Sequence, residues 1–284
     1  MKKVKAILAI CLTATMIVPF AACSKNAGSA ESSAAASVAA SADDSSKSSS
    51  AASYSGGTVI MSTNATFEPF EYHSGGKIVG IDVDIANQVA AKLGKTLQIR
   101  DVDFDTLPAE LSSGKCDFVA AGMSVDPDRL KNMDFSNTYF DATQSIIVLK
   151  GSAIKSRTDL NGKTVGVQLG TTGDKFCTDE KHTSDIHVKK VKRFNKGADA
   201  ISDLVAGRID AVVIDDFPAK KFVAKNSGKL VKLNDALTVE HYAIGVKKGN
   251  KELVNTINDV LKEMKSSGEF DKLISKYKSS LEGN

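Results

Sequence analysis

The chain has no phosphate-binding loop of the G-x-x-x-x-G-K-[ST] type, so the common nucleotide-hydrolysing architecture is excluded. Its four cysteines, at positions 11, 23, 116 and 177, show neither C-x-x-C nor metal-ligand spacing. That leaves no zinc or thiol-redox centre to argue for, and Cys116 and Cys177 read as small buried apolar residues. No basic stripe with interleaved aromatics exists, which removes nucleic acid as a partner. No histidine is tied to a nucleophile or to a metal spacing; His73, His182 and His187 read as surface residues. The sequence calls for no cofactor. The formal net charge of +3 is carried by Lys2, Lys3 and Lys5, so the rest of the chain is balanced.

Those lysines open a segment that is read separately from the fold. Residues 1–5 form a basic region and residues 6–20 a mostly apolar one, too short and too closely followed by polar sequence to make a good membrane span. Phe20-Ala21-Ala22-Cys23 resembles a bacterial lipobox, which implies a signal peptide over 1–23 and a lipid on Cys23. Residues 24–57 are almost entirely serine, alanine and glycine, with no apolar period that could bury a core. They read as a flexible tether with a root-mean-square reach of roughly 30 Å. The folded body begins at Thr58.

Two stretches of that body match. Residues 111–119 (LSSGKCDFV) and 204–212 (LVAGRIDAV) share L-x-x-G-[KR]-x-D-x-V, a helix ending on glycine and then an apolar strand. Upstream, Gly76-Lys77-Ile78-Val79-Gly80 and Gly162-Lys163-Thr164-Val165-Gly166 look like equivalent openings, each followed by a helical stretch, over 85–93 and 172–180. The spacing predicts two similar α/β lobes with largely parallel sheets, and ligands in such sheets sit beyond the strands' C-terminal ends. Residues 252–281 carry apolar residues at helical spacing and are expected to pack back on the first lobe. The expected division is 58–146 plus 243–284 for that lobe and 147–242 for the second, with hinge strands at 145–149 and 242–246.

Chemistry concentrates at three strand ends. In Ala121-Gly-Met-Ser-Val-Asp-Pro-Asp-Arg129, Asp126 fits a helix N-cap and Pro127 the first helical position. Arg129 then brings a cation to the positive end of a helix, which makes sense if both face an anion. Gly170-Thr171-Thr172-Gly173 opens a helix with free N–H groups and a hydroxyl, as an anion site or as an ordinary glycine turn. Asp215, directly after an apolar strand, either pairs with a cation or, like Asp216, caps the helix before Pro218. Phe67-Glu-Pro-Phe70-Glu-Tyr72 puts aromatic surface near Asn64, as core or as ligand contact.

These segments, with Gly80-Ile-Asp82-Val-Asp84 and Asp134-Phe135-Ser136, resemble the bacterial extracellular solute-binding proteins of family 3, over about 58–277. The resemblance implies an α/β, two-lobed type II periplasmic-binding-protein fold with a discontinuous first lobe and a two-strand hinge. It also implies an amino-acid receptor of an ABC importer. Arg129 would clamp the ligand α-carboxylate, helped by Thr172, and Asp215 would take the α-ammonium with Ala121, Gly122 and Ser124. Asn64, Phe67, Phe104 and Gln168 would meet a polar side chain, neutral or cationic, with Glu68 or Glu71 reaching in. Permease and ATPase would be separate chains, and the receptor a monomer held by lipid on the outer face of the cell membrane. Two other readings use the same scaffold. One is a cyclohexadienyl-dehydratase-like enzyme, for which Glu68, Glu71 or His241 would supply the acid. The other is a sensory domain without transport.

Overall fold

The computed structural model of the protein describes residues 57–179 and 185–282. The leader, Cys23, the tether up to residue 56 and His182 lie outside them. No helix among the described residues is long and apolar enough to cross a membrane.

The first lobe starts with β1 (Thr58–Thr63), then a small antiparallel ribbon of β2 (Thr66–Phe67), β3 (Glu71–Ser74) and β4 (Lys77–Val79). It continues through α1 (Ile81–Lys92), β5 (Thr96–Asp101), α2 (Leu107–Ser112), β6 (Phe118–Val119), α3 (Pro127–Asn132) and β7 (Met133–Phe135). Strand β8 (Phe140–Ala142) leads into the second lobe. That lobe contains β9 (Gln144–Leu149), β10 (Thr164–Gln168), α4 (Thr172–Thr178), β11 (Lys190–Phe194), α5 (Gly197–Val205), β12 (Ala211–Asp215), α6 (Asp216–Lys225) and β13 (Leu230–Lys232). The chain returns through β14 (Glu240–Tyr242) to β15 (Gly245–Lys247), α7 (Lys251–Ser266) and α8 (Glu269–Glu282).

The two main sheets have the same plan. Their strand orders are β5-β1-β6-β15-β7 and β11-β10-β12-β9-β13. In each, the second strand pairs in parallel with the first and third, and the fourth runs antiparallel. The fifth strand is antiparallel to the fourth in turn, so four of the five strands in each sheet run the same way, in line with the expectation of largely parallel sheets. The exception is the fourth strand, which is delivered from the other lobe and enters from the opposite end. The hinge does move. Residues 144–149 belong wholly to the second sheet, so the expected boundary at 146/147 falls inside β9. The passage between lobes is the short antiparallel pair β8–β14, with Glu240 opposite Ala142 and Tyr242 opposite Phe140.

The repeat has a physical basis. After α2 and α5 the chain turns at Gly114 and Gly207, whose φ values of 74° and 67° favour glycine. Asp117 Oδ2 then accepts the Ile60 N–H at 2.7 Å, and Asp210 Oδ2 accepts the Thr164 N–H at 2.7 Å. The Asp117 and Asp210 amides return bonds to the carbonyls of Ile60 and Thr164. The same aspartate clasp thus locks the second strand of each sheet. This also corrects the matched openings: the counterpart of β10 is β1, and residues 76–80 belong to the inserted β2–β4 ribbon.

The C-terminal helices close the first lobe. Leu253, Ile257, Val260, Leu261 and Met264 of α7 are buried in one core with Ile85, Val89 and Ala90 of α1. Each such side chain contributes about 1.5–3 kcal/mol when fully buried. The stretch of helical spacing over 252–281 forms two helices, parted at Gly268, which has φ 72°. Cys116 and Cys177 are free, buried and in different cores. Burial pushes the Cys177 thiol up to about 12.

Candidate functional site

The strand ends of both lobes face each other across a cleft with about 330 Å³ of empty space, part of it open to solvent. Asn64, Phe67, Phe104, Ala121, Gly122, Ser124, Arg129, Gln168, Thr172 and Asp215, all singled out above, surround it; Glu71 and Thr171 complete the wall. Glu68 does not join them. It pairs at the lobe margin with Lys221 at 3.1 Å and Lys225 at 3.3 Å.

Arg129 is placed by its helix start. Asp126 caps α3 by accepting the amides of Asp128 and Arg129 at 2.8 and 3.1 Å. It also pairs with Arg129 Nε at 3.1 Å, which resolves the misplaced charge at this helix end. Arg129 Nη1 donates to the Ser124 carbonyl at 2.7 Å and Nη2 to the Gly170 carbonyl of the other lobe at 3.0 Å. A guanidinium has five N–H donors, so one remains on each terminal nitrogen, as a bidentate carboxylate clamp requires. Its Cζ stands over the Phe104 ring, 5.4 Å from the centroid. Burial lowers its pKa, and the nearby carboxylates of Asp126, Glu240 and Asp215 oppose that.

Asp215 ends β12 opposite. It precedes α6 but makes no side-chain cap, so the capping alternative is set aside. Instead it accepts Gln144 Nε2 at 2.8 Å and the Tyr242 hydroxyl. Burial, then the charge of Glu240, pushes its pKa up to about 7. In this environment the carboxylate is short of a counter-cation.

Gly122 sits between the two. Its φ is 51°, and a Cβ there would come within 2.6 Å of the Phe67 ring. Its amide donates to Asp82 Oδ2 at 2.8 Å, and Tyr139 donates to Asp82 Oδ1 at 2.7 Å. Behind them Glu71 is fully buried. Burial, then the Asp82 charge, raises its pKa well above the usual carboxylate range, and neither of its carboxyl oxygens has a hydrogen-bond partner among the described residues. Burial raises Asp82 itself to about 6.

The lobes meet across the cavity. Gln168 Nε2 donates to Asn64 Oδ1 at 3.0 Å, and Lys175 Nζ reaches Asp126 at 2.9 Å. Asn64 is itself fixed through Nδ2 to the Val102 carbonyl at 2.7 Å.

Sequence reasoning missed three residues. Gln144 and Tyr242 hold Asp215, and Glu240 bonds both Ser124 and Thr172. All three lie on the strands leading into and out of the second lobe, and the one available sign was a polar residue at a strand edge. His241, one residue from Glu240, points outward and pairs with Asp141 at 2.7 Å. His73 is similarly exposed, on Asp101.

Two lobes closing strand ends around paired buried charges define a binding protein for a small zwitterion. The chain belongs to the bacterial extracellular solute-binding proteins, family 3, whose profile matches residues 59–280. It is 36% identical over 220 residues to the arginine-binding extracellular protein ArtP of Bacillus subtilis, covering 77% of this chain and 85% of that protein. It is 36% identical over 222 residues to a probable histidine-binding protein of Neisseria gonorrhoeae, covering 76% and 81%. Among solved structures, an ancestral arginine-binding protein bound to arginine superimposes with a TM-score of 0.72 at 41% identity, covering 78% of this chain and 97% of that one.

Proposed function

We infer that this chain is the extracellular amino-acid receptor of an ABC importer and that its ligand is a cationic amino acid, L-arginine first. The observation that carries the reading is the pair Arg129 and Asp215, opposite charges from opposite lobes, both buried at one cavity. A zwitterionic head group satisfies both at once, with its carboxylate on Arg129 and its ammonium on Asp215. The ligand bridges the lobes and favours their closure by its differential affinity for the closed form.

The rest of the wall selects the side chain. Phe67 and Phe104 offer apolar surface to an aliphatic stem, and Asn64 and Gln168 add polar groups. Once Arg129 and Asp215 are matched by the head group, Asp126 is paired with Arg129 and Lys175, and the further acids just behind this wall are Asp82 and Glu240. That balance suits added positive charge, and relatives named for arginine and histidine agree with it. A dehydratase would need an acid free in the cleft. His241 and Glu68 lie outside it, and Glu71 is fully buried.

Cys23 anchors the receptor by lipid and residues 24–57 tether it. Permease and ATPase are separate chains, and the receptor acts as a monomer. Transfer of a Cys23→Ser variant from the membrane to the soluble fraction tests the anchor. The ligand is tested by thermal shift on ligand-free protein from Tyr54 onward, against the twenty amino acids and ornithine. L-Arginine at 100 times its Kd adds about 2.7 kcal/mol to stability. No shift with any amino acid, from protein shown to be folded, overturns the reading.

A further inference from the structure

Glu240 is buried, acidic and contributed by the hinge, and the head-group clamp does not use it. Its Oε2 accepts the hydroxyl of Ser124 from the first lobe and that of Thr172 from the second, the latter at 2.7 Å. Its Oε1 accepts the Thr238 hydroxyl, also at 2.7 Å. A hydroxyl has one proton and two lone pairs. Ser124 and Thr172 have therefore committed their protons to a carboxylate, in bonds strengthened by its charge. Gln144 Nε2 fills one lone pair of Thr172 Oγ1 at 3.1 Å. Toward the cavity, each hydroxyl can only accept.

We propose that Glu240 is a positioning residue for specificity: by holding the protons of Ser124 and Thr172, it turns one end of the cavity into a set of acceptors that demands an α-ammonium. The inference rests on the amino-acid reading and deepens it. Asp215 contributes to the same end. Its oxygens accept from Tyr242 and Gln144, and each keeps a lone pair for a further N–H. An ammonium brings three N–H donors to these acceptors. A 2-hydroxy acid brings one O–H donor and places its own lone pairs against oxygens that cannot donate. Thr172 can then serve the ligand carboxylate only through its backbone N–H, which has no partner among the described residues.

The test is a ratio. Dissociation constants of L-arginine and of its 2-hydroxy analogue are measured by calorimetry at pH 8, for the wild-type protein and for Glu240→Gln. The wild-type protein should prefer the amine by at least about 100-fold, since a site built to bond a donor leaves its own polar groups unpaired when the donor is missing. Glu240→Gln can turn its amide N–H toward the hydroxyls and free their protons to rotate into the cavity. The preference should then drop by at least about tenfold. Glu240→Ala frees the same protons and is read in the same way should the Gln variant not fold. A merely structural role weakens both ligands together; an unchanged ratio in either folded variant overturns the proposal, as does a wild-type preference below about tenfold. Failure of the wild-type protein to bind any amino acid is a different result, which removes the functional reading itself.

Discussion

Asp215 makes ligand affinity depend on pH, with a sign and size set by its surroundings. In the empty site its pKa stands at about 7 instead of 3.8, chiefly through burial. A ligand ammonium bonds the ionised form, so binding lowers that pKa, and a proton on Asp215 competes with the ligand. Affinity is therefore full above pH 7 and falls about tenfold, or about 1.4 kcal/mol, for each pH unit below it. Between pH 8 and pH 5 the loss is about 100-fold while the bound-state pKa stays below 5. The stability of the empty protein runs the other way. A raised carboxyl pKa means that the folded state holds its proton more tightly than the unfolded chain. This contribution, roughly 4 kcal/mol, is fully present below pH 3.8 and is lost as pH rises through 7. Calorimetry from pH 8 to pH 5, in two buffers of different ionisation enthalpy, should find one proton released on binding below pH 7. Asp215→Asn should abolish the slope and bind weakly throughout. A flat wild-type profile would refute the reasoning. A slope that survives in Asp215→Asn would move the titration to the Glu71–Asp82 pair.

Two further outcomes follow from the geometry. Arg129→Ala should leave the circular dichroism spectrum unchanged while weakening ligand binding by at least about 2–3 kcal/mol, and Arg129→Lys should not restore it, because an ammonium cannot form the bidentate pair; near wild-type affinity in folded Arg129→Ala ends that assignment. Asp117→Ala and Asp210→Ala should each cost about 1–3 kcal/mol in urea denaturation by leaving a strand amide unpaired. Should either variant match the wild-type midpoint, the clasp is not a stabilising element.

The strand-end chemistry was legible in the sequence because each part is local. Asp126, Pro127 and Arg129 announce a capped helix start carrying the wrong charge, and Asp215 follows directly on an apolar strand. The L-x-x-G-[KR]-x-D-x-V repeat marked the two lobes because its aspartate does the same work in each, joining strands that lie far apart in the chain. The matching of residues 76–80 with 162–166 failed for a related reason. Two G-K-x-V-G segments look alike in one dimension, but the first pairs within an inserted ribbon and the second leads into an inner strand of a sheet. Glu240, Gln144 and Tyr242 were hidden because their significance lies in partners about 30 to 120 residues away. Nothing in Val239-Glu240-His241-Tyr242 indicates which side chains turn inward, and His241, the obvious titratable group, turns out with Val239.

The two crossings at β8 and β14 also impose an order on assembly. The second sheet draws its strands from residues 144–232, one continuous stretch. The first needs β1 at its start and β15 near the end of the chain, and its core needs α7 besides. The second lobe can therefore complete its sheet while the first still lacks a strand, and the longest loop closure in the molecule falls on the first. A chain truncated after β14 would keep every strand of one lobe and break the other. In a polypeptide made from its N-terminus, the half that appears first is the half that finishes last.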